Sequence, residues 1–258
     1  MEDLLQNFPA FLLVLVRVSA FFIMMPFFSY RTIPASHRLG LSLFLAWIMY
    51  YSIDVPVLEL DSVYFLLILK EALVGLFIGF AAFMIMTVVQ IAGGFIDFQM
   101  GFSIANVIDP QSGTQSPLTG QYLYTIALLL LLSLNGHHLL LDGIFYSYQY
   151  VPMDQLFVPF GNEALMEYFV KAFNQTFIIA LQMSIPVVGC LFLVDVGLGI
   201  VARTVPQLNI FVVGIPVKII ASFMTLLVVM GMMMVVVEHL FDYLLVTLRG
   251  LMQLIGGS

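Results

Sequence analysis

Long apolar runs separated by short polar connections fill this chain, and the runs have the length of membrane-crossing helices. Spanning a hydrocarbon core takes about 20 mostly apolar residues. Six runs approach or exceed that length: residues 8–28, 39–53, 64–96, 121–148, 169–201 and 210–248. Three of them hold long stretches without a charge, at 72–96, 172–194 and 219–237. The first is interrupted by Arg17, and the second is short for a simple crossing. Several exceed one crossing, which predicts helices that protrude, tilt or break.

The connections differ in sign. Residues 30–38 are basic, with Arg31 and Arg38 beside Pro34, and Arg203 lies in the turn at 202–209. Residues 54–61 (Asp54, Glu59, Asp61) and 151–167 (Asp154, Glu163, Glu167) are acidic. The positive-inside rule then places the basic connections in the cytoplasm and the N-terminus outside, with six crossings returning the C-terminus to the outside. The opening Met1, Glu2 and Asp3 are acidic where a signal peptide is basic, so the first helix is expected to be retained.

Composition turns this pattern into a fold class. Of 258 residues, 62% are hydrophobic and 9% charged, with a mean hydropathy of +1.10. Water-soluble domains are about half apolar and a quarter charged, and a compact fold of this size cannot hide the excess. The prediction is an all-α integral membrane protein of about six long, partly broken helices, without a soluble domain, a sequence repeat or a low-complexity tract. A net charge of −7 and only eight Lys plus Arg exclude a basic nucleic-acid face. Cys190, the single cysteine, reads as a small packed side chain. Gly75 and Gly79 form a G-x-x-x-G that permits close helix contact, expected here to be packing within the chain itself.

Between the third and fourth runs lies the most informative stretch, residues 101–120. It opens Gly101, Phe102, Ser103, Ile104, Ala105, Asn106, Val107, Ile108, Asp109 and Pro110. Glycine, proline and small polar residues forbid a continuous helix here, and structureless connections of this length are uncommon and usually functional or disordered. Asp109 is its one charge, whereas a solvated linker carries more. Irregular backbone at membrane depth is tolerated only where it is buried in protein or lines a cavity. A loop folded back into a protein-lined space and an ordinary surface loop with an Asp-Pro turn both remain open on the residues alone.

An ionisable group at mid-bilayer costs about 2.5–3.5 kcal/mol on insertion scales and needs a partner or water. Arg17, Asp195 and Lys218 are the candidate buried charges. Asp195 lies eleven residues before Pro206 and Lys218 twelve after it. In a helical hairpin both then sit about 16–18 Å from the turn, which predicts an ion pair, with a proton relay as the alternative. Lys70 and Glu71, by contrast, read as an interfacial pair that snorkels. Asn135 and Gly136 are expected to bend the fourth helix. His137 and His138, about 100° apart on a helix, make a poor chelate, so neither a metal nor a cofactor is expected. Met230, Met232, Met233 and Met234 read as ordinary core or lipid contact, with a flexible gasket as the alternative. Neither a phosphate-binding G-x-x-x-x-G-K-[ST] nor a G-x-S-x-G nucleophile motif occurs, so no catalytic residue is assigned.

The residues together resemble one family. Arg17 with Pro26, Ser29, Pro34 and Arg38, the Gly101 to Pro110 stretch, and Asn135, Gly136 and His137 come first in order. They are followed by Pro206, Gln207, Leu208, Asn209, Gly214 and Pro216, then Glu238, His239, Leu240 and Phe241. This ordered set is similar to the FliR/SctT family of type III export gates, from the first helix to the last. The resemblance implies a non-catalytic component of the bacterial flagellar protein-export channel in the inner membrane, at the basal body. FliP-type, FliQ-type and FlhB-type subunits, membrane lipid and unfolded flagellar proteins in transit are the implied partners. It further implies that residues 1–150 correspond to a FliP-like portion and 151–258 to a FliQ-like hairpin. The loop matching 101–117 would plug the closed pore, and the 206–216 segment would shape the hairpin and its packing. A small secondary transporter is the alternative class; it would suit broken helices and intramembrane charges but usually shows internal repeats and convergent carboxylates. An intramembrane enzyme, the third, lacks a nucleophile–base or metal set.

Overall fold

A computed structural model describes residues 2–28, 33–53, 55, 56, 58, 61–102, 117–207 and 209–256, with side chains from Phe8 onward. Among the described residues there are seven helices and no strand: α1 (Glu2–Met24), α2 (Ala35–Ser52), α3 (Ser62–Met100), α4 (Leu118–Ser133), α5 (Gly136–Tyr150), α6 (Glu163–Thr204) and α7 (Ile210–Gly256). Five of the six apolar runs each become one helix. The fourth becomes two, because Asn135 takes a left-handed conformation at φ 56°, one that Asn tolerates better than other residues with a Cβ. By length and composition α3, α6 and α7 suffice to cross a membrane, and the broken pair α4 and α5 makes a fourth if counted as one crossing. The apolar stretch of α1, Phe8–Met24, is shorter.

Helix ends follow capping chemistry. The Asp61 carboxylate accepts the N–H groups of Val63 and Tyr64 at 2.9 and 3.0 Å and starts α3; the Asn162 side chain accepts that of Ala164 and starts α6. At the other end of α3, Gly101 lies at φ +94°. Phe102 N–H then reaches the Asp97 carbonyl at 3.0 Å and Gly101 N–H that of Phe98 at 3.2 Å. This is a Schellman motif, for which glycine is the preferred left-handed residue.

The chain divides into two compact units, each assembled from separated segments. The first comprises Met1–Met86, Asn135–Phe173 and Asp242–Ser258. Its core includes Leu13, Val14, Phe21, Val74 and Ile78, all buried where α1 lies on α3. Gly75 and Gly79 make that contact close. A Cβ built on Gly75 falls against the Arg17 carbonyl, and one on Gly79 stands 2.8 Å from the Phe21 carbonyl and 2.9 Å from Met24 Cβ. The second unit comprises Thr87–Leu134 and Asn174–Phe241. There α3 meets α4 through Gly93 and Gly120, whose backbones approach so closely that a Cβ on Gly93 would fall on Gly120 Cα.

Gly79→Val should therefore overpack the α1–α3 contact and cost roughly 1–3 kcal/mol, lowering the thermal midpoint of the detergent-solubilised protein. Gly143→Ala, where a built Cβ meets nothing within 4 Å, should leave that midpoint unchanged or raise it.

Candidate functional site

In the first unit the sequence places one arginine in the middle of an apolar helix, and the fold surrounds it with partners. Arg17 on α1 is fully buried, as is Glu71 on α3. The guanidinium grips the carboxylate with two nitrogens: Nε donates to Oε2, and a terminal nitrogen donates to Oε1 at 2.9 Å. It also donates to Ser147 Oγ at 2.9 Å and to the Val151 carbonyl at 2.8 Å. Tyr148 lies flat beneath it, with the ring centre 3.7 Å from the guanidinium carbon, a cation–π contact. Lys70 pairs with Glu71 through the same Oε1 at 2.6 Å and donates to the Pro152 and Met153 carbonyls.

That arrangement corrects the snorkelling expectation. Lys70 is 5% exposed and Glu71 fully buried, so the pair lies inside the unit. The reason is Arg17: a carboxylate already paired with a buried guanidinium gains more by staying with it than by reaching for water. The ammonium in turn satisfies carbonyls of the irregular stretch after α5, which would otherwise be orphaned.

The second unit contains the base of the 101–117 segment. Asp195 on α6 and Lys218 on α7 form an ion pair at 2.5 Å, as their equal spacing about the turn predicts. Their side chains are 36% and 20% exposed, so they are half-buried here, less enclosed than Arg17. The pair also holds α3: Gln99 Nε2 donates to Asp195 Oδ2 at 2.8 Å, and Lys218 Nζ approaches the Gln99 carbonyl at 3.4 Å. A cavity of about 290 Å³ beside it is lined by Gly101, Asp195, Gly214 and Lys218. A second, of about 300 Å³, is apolar and lined by Phe102, Leu118, Tyr122, Leu226 and Met230.

Of the plug-type residues, Gly101 caps α3 and Phe102 lines the apolar cavity. Ser103, Ile104, Ala105, Asn106, Val107, Ile108, Asp109 and Pro110 lie outside the described residues, and so does the choice between a buried and a solvated loop. In the hairpin motif, Pro206 and Gln207 are exposed in the turn, and the Asn209 carbonyl accepts Val212 N–H as α7 begins. Gly214 is buried, with a built Cβ 3.3 Å from Leu198, so it brings α7 close to α6. Pro216, expected to shape the hairpin, lies inside α7 in its second turn, where its missing N–H deprives the Val212 carbonyl of the usual helical donor. Leu208 lies outside the described residues.

Two residues escaped the sequence reading. Glu71 was assigned to Lys70 because they are adjacent, while its other partner is 54 residues away. Asp97, an acid near the end of α3, is only 3% exposed and accepts Thr119 N–H across to α4. Its signal was present: apart from Glu71 it is the one acid between Ser62 and Met100. Elsewhere, half-buried Cys190 accepts the Thr225 hydroxyl at 3.2 Å, Met233 is buried and Met232 exposed.

The model of "Bacterial export proteins, family 1" matches residues 8–244. The chain is 58% identical over 259 residues to "Flagellar biosynthetic protein FliR" of Bacillus subtilis, covering all of both chains. It is 29% identical over 231 residues to the FliR of Escherichia coli, covering 88% of this chain and 87% of that one. It is also 30% identical over 236 residues to "Yop proteins translocation protein T" of Yersinia pestis, covering 90% of each.

Arg17→Ala should leave Glu71 buried beside Lys70 alone and cost about 3–5 kcal/mol, seen as a lower thermal midpoint and reduced membrane yield. Arg17→Lys should recover little of it, because one ammonium cannot reproduce the two-pronged grip. For the hairpin pair, Asp195→Lys and Lys218→Asp should each destabilise, and the double reversal should restore at least about 0.5 kcal/mol of the sum. A thermal-melt double-mutant cycle measures it, and no recovery removes the pair's role.

Proposed function

Since the chain belongs to family 1 of the bacterial export proteins, and so to the components of type III export gates, we propose that it forms part of the wall of a flagellar protein-conducting channel in the inner membrane, at the basal body. Unfolded flagellar subunits pass through the assembly, and this chain performs no catalysis. FliP-type and FliQ-type subunits share the channel wall, with an FlhB-type subunit alongside. Residues 1–150 serve as the FliP-like portion and 151–258 as the FliQ-like one. The 101–117 segment is the plug of the resting channel, and the 206–216 segment sets the hairpin against its neighbours.

The observation that carries assembly is the outward face of α6 and α7. On α6 Phe192 is 60% exposed and Leu193 69%, and on α7 Leu227 is 77% and Val228 84%; the two helices run 42 and 47 residues. Such a face is stable only against lipid or other apolar helices. Helices this long exceed one bilayer crossing, which supports coverage by neighbouring subunits along part of their length. The plug role is supported by the placement of its two ends on the second unit, where α3 is capped by Gly101 and α4 begins at Leu118. A secondary transporter gains no support from the relatives, which carry biosynthetic and translocation names.

Purification from detergent with mass measurement of the intact particle should return a hetero-oligomer containing FliP-type and FliQ-type chains; recovery of this chain alone, active on a small solute, would refute the assignment. In bilayers containing the assembled gate, trimming the 101–117 segment should raise resting ion conductance, and an unchanged conductance in a correctly assembled particle removes the plug role.

A further inference from the structure

Within the second unit α6 has two opposite faces, and only one of them is covered. Ala180, Met183, Val187 and Leu191 form an inner stripe with at most 1% exposure. On the other side Ile178, Gln182, Ile185, Gly189, Phe192 and Val196 follow one another in steps of four and three, and all are exposed. That spacing is the seam of a helix that lies along another helix with a slight left-handed crossing. A Cβ built on Gly189 meets nothing within 4 Å, so the seam has a notch where a second backbone can come close.

Lipid would cover apolar side chains, and Gln182 argues against it. This residue lies at the centre of 172–194, the longest uncharged part of a helix apolar enough to cross a membrane. Among the described residues no hydrogen bond reaches its side-chain amide. Pro186 leaves a second group unmet at the same place: it has no N–H, so the Gln182 carbonyl lacks the donor that the residue four positions on normally supplies. One exposed residue thus offers an amide and a main-chain carbonyl, both in want of a partner. Hydrocarbon supplies neither donor nor acceptor, and polar backbone at that depth requires one. A two-fold pair of copies through this seam closes on itself and leaves Leu227 and Val228 on α7 uncovered.

We infer that the outer stripe of α6 is the seat of an apolar helix from a different subunit of the gate, one that carries a hydroxyl or amide side chain at the level of Gln182 and passes closest at Gly189. That side chain donates to the carbonyl that Pro186 leaves open, and its own oxygen accepts from the Gln182 NH2 group. The inference rests on the gate assignment above and decides between lipid and protein as the cover of this face.

The test uses the complete gate in its membrane, with p-benzoylphenylalanine in place of Ile185 as a photoreactive probe on the seam. The expected product is this chain joined to a different subunit, through an apolar helix with a Ser, Thr, Asn or Gln within one turn of the attachment. A product joined to a second copy, or to lipid alone in a correctly assembled particle, overturns the inference and leaves the gate assignment standing. An attached peptide without such a side chain overturns the role of Gln182. If the wild-type chain is recovered with no other subunit, the gate assignment itself fails, and the inference with it. Gln182→Leu and Gly189→Leu separate docking from folding. The Gln182 amide has no bond within the chain and the space at Gly189 is open, so the thermal midpoint of the isolated chain should hold or rise in both. On dilution of the gate into detergent, Gln182→Leu should release the crosslinked subunit about fivefold more readily, the scale of one interhelical hydrogen bond, and Gly189→Leu at least as readily. Wild-type retention in either variant overturns the docking, and a lowered midpoint of the isolated chain overturns it in favour of a role in folding.

Discussion

A buried guanidinium that is fully engaged is the constraint on which the first unit depends. Arg17 touches α1's neighbours through a carboxylate on α3, a hydroxyl and an aromatic face on α5, and a carbonyl just beyond α5. Burying such a cation costs several kcal/mol, and its attraction to Glu71 offsets that only if the remaining donors are also satisfied. Here each of the three nitrogens has an acceptor, two of the N–H groups beyond the carboxylate going to Ser147 and Val151. The geometry therefore admits little slack, because a shift of any one of the three segments strands a donor. An apolar replacement of the whole cluster would pack as well, but without requiring one register among these helices.

The second unit is held differently. Its ion pair of Asp195 and Lys218 is less enclosed than that of Arg17 and Glu71, and α3 meets α4 backbone against backbone at Gly93 and Gly120. Between these helices polar groups meet near ends, with Asp97 at the close of α3, Thr119 at the start of α4 and Gln99 against Asp195 and Lys218, and also farther along, where the Thr225 hydroxyl on α7 donates to Cys190 on α6. Polar side chains of the second unit thus gather beside Gly101, which closes α3, and Leu118, which opens α4.

Much of this could be read from residues in advance. Apolar run length located the helices, Asn135 marked the break in the fourth run, and the spacing of Asp195 and Lys218 about Pro206 foretold their pairing, because a hairpin converts sequence distance directly into depth. Partners across non-adjacent helices were not legible. Glu71 looked committed to Lys70, and nothing local to residue 71 reveals that α1 crosses beside it. Asp97 stands just past an uncharged run and draws no assignment from the sequence, since its partner is a backbone amide and carries no sequence signature. Pro216 lies within the apolar run 210–248, and that run continues through it as one helix.

The chain is made from its N-terminus, and Arg17 emerges well before the residues that neutralise it. When α1 first meets lipid, Glu71 is 54 positions behind and Ser147 is 130. An unpartnered arginine at depth carries a penalty of about 2.5–3.5 kcal/mol, so α1 gains its full stability only once α3 has been synthesised beside it. Consolidation of the first unit is accordingly retrospective: the helix made first owes its buried charge's partner to one made later.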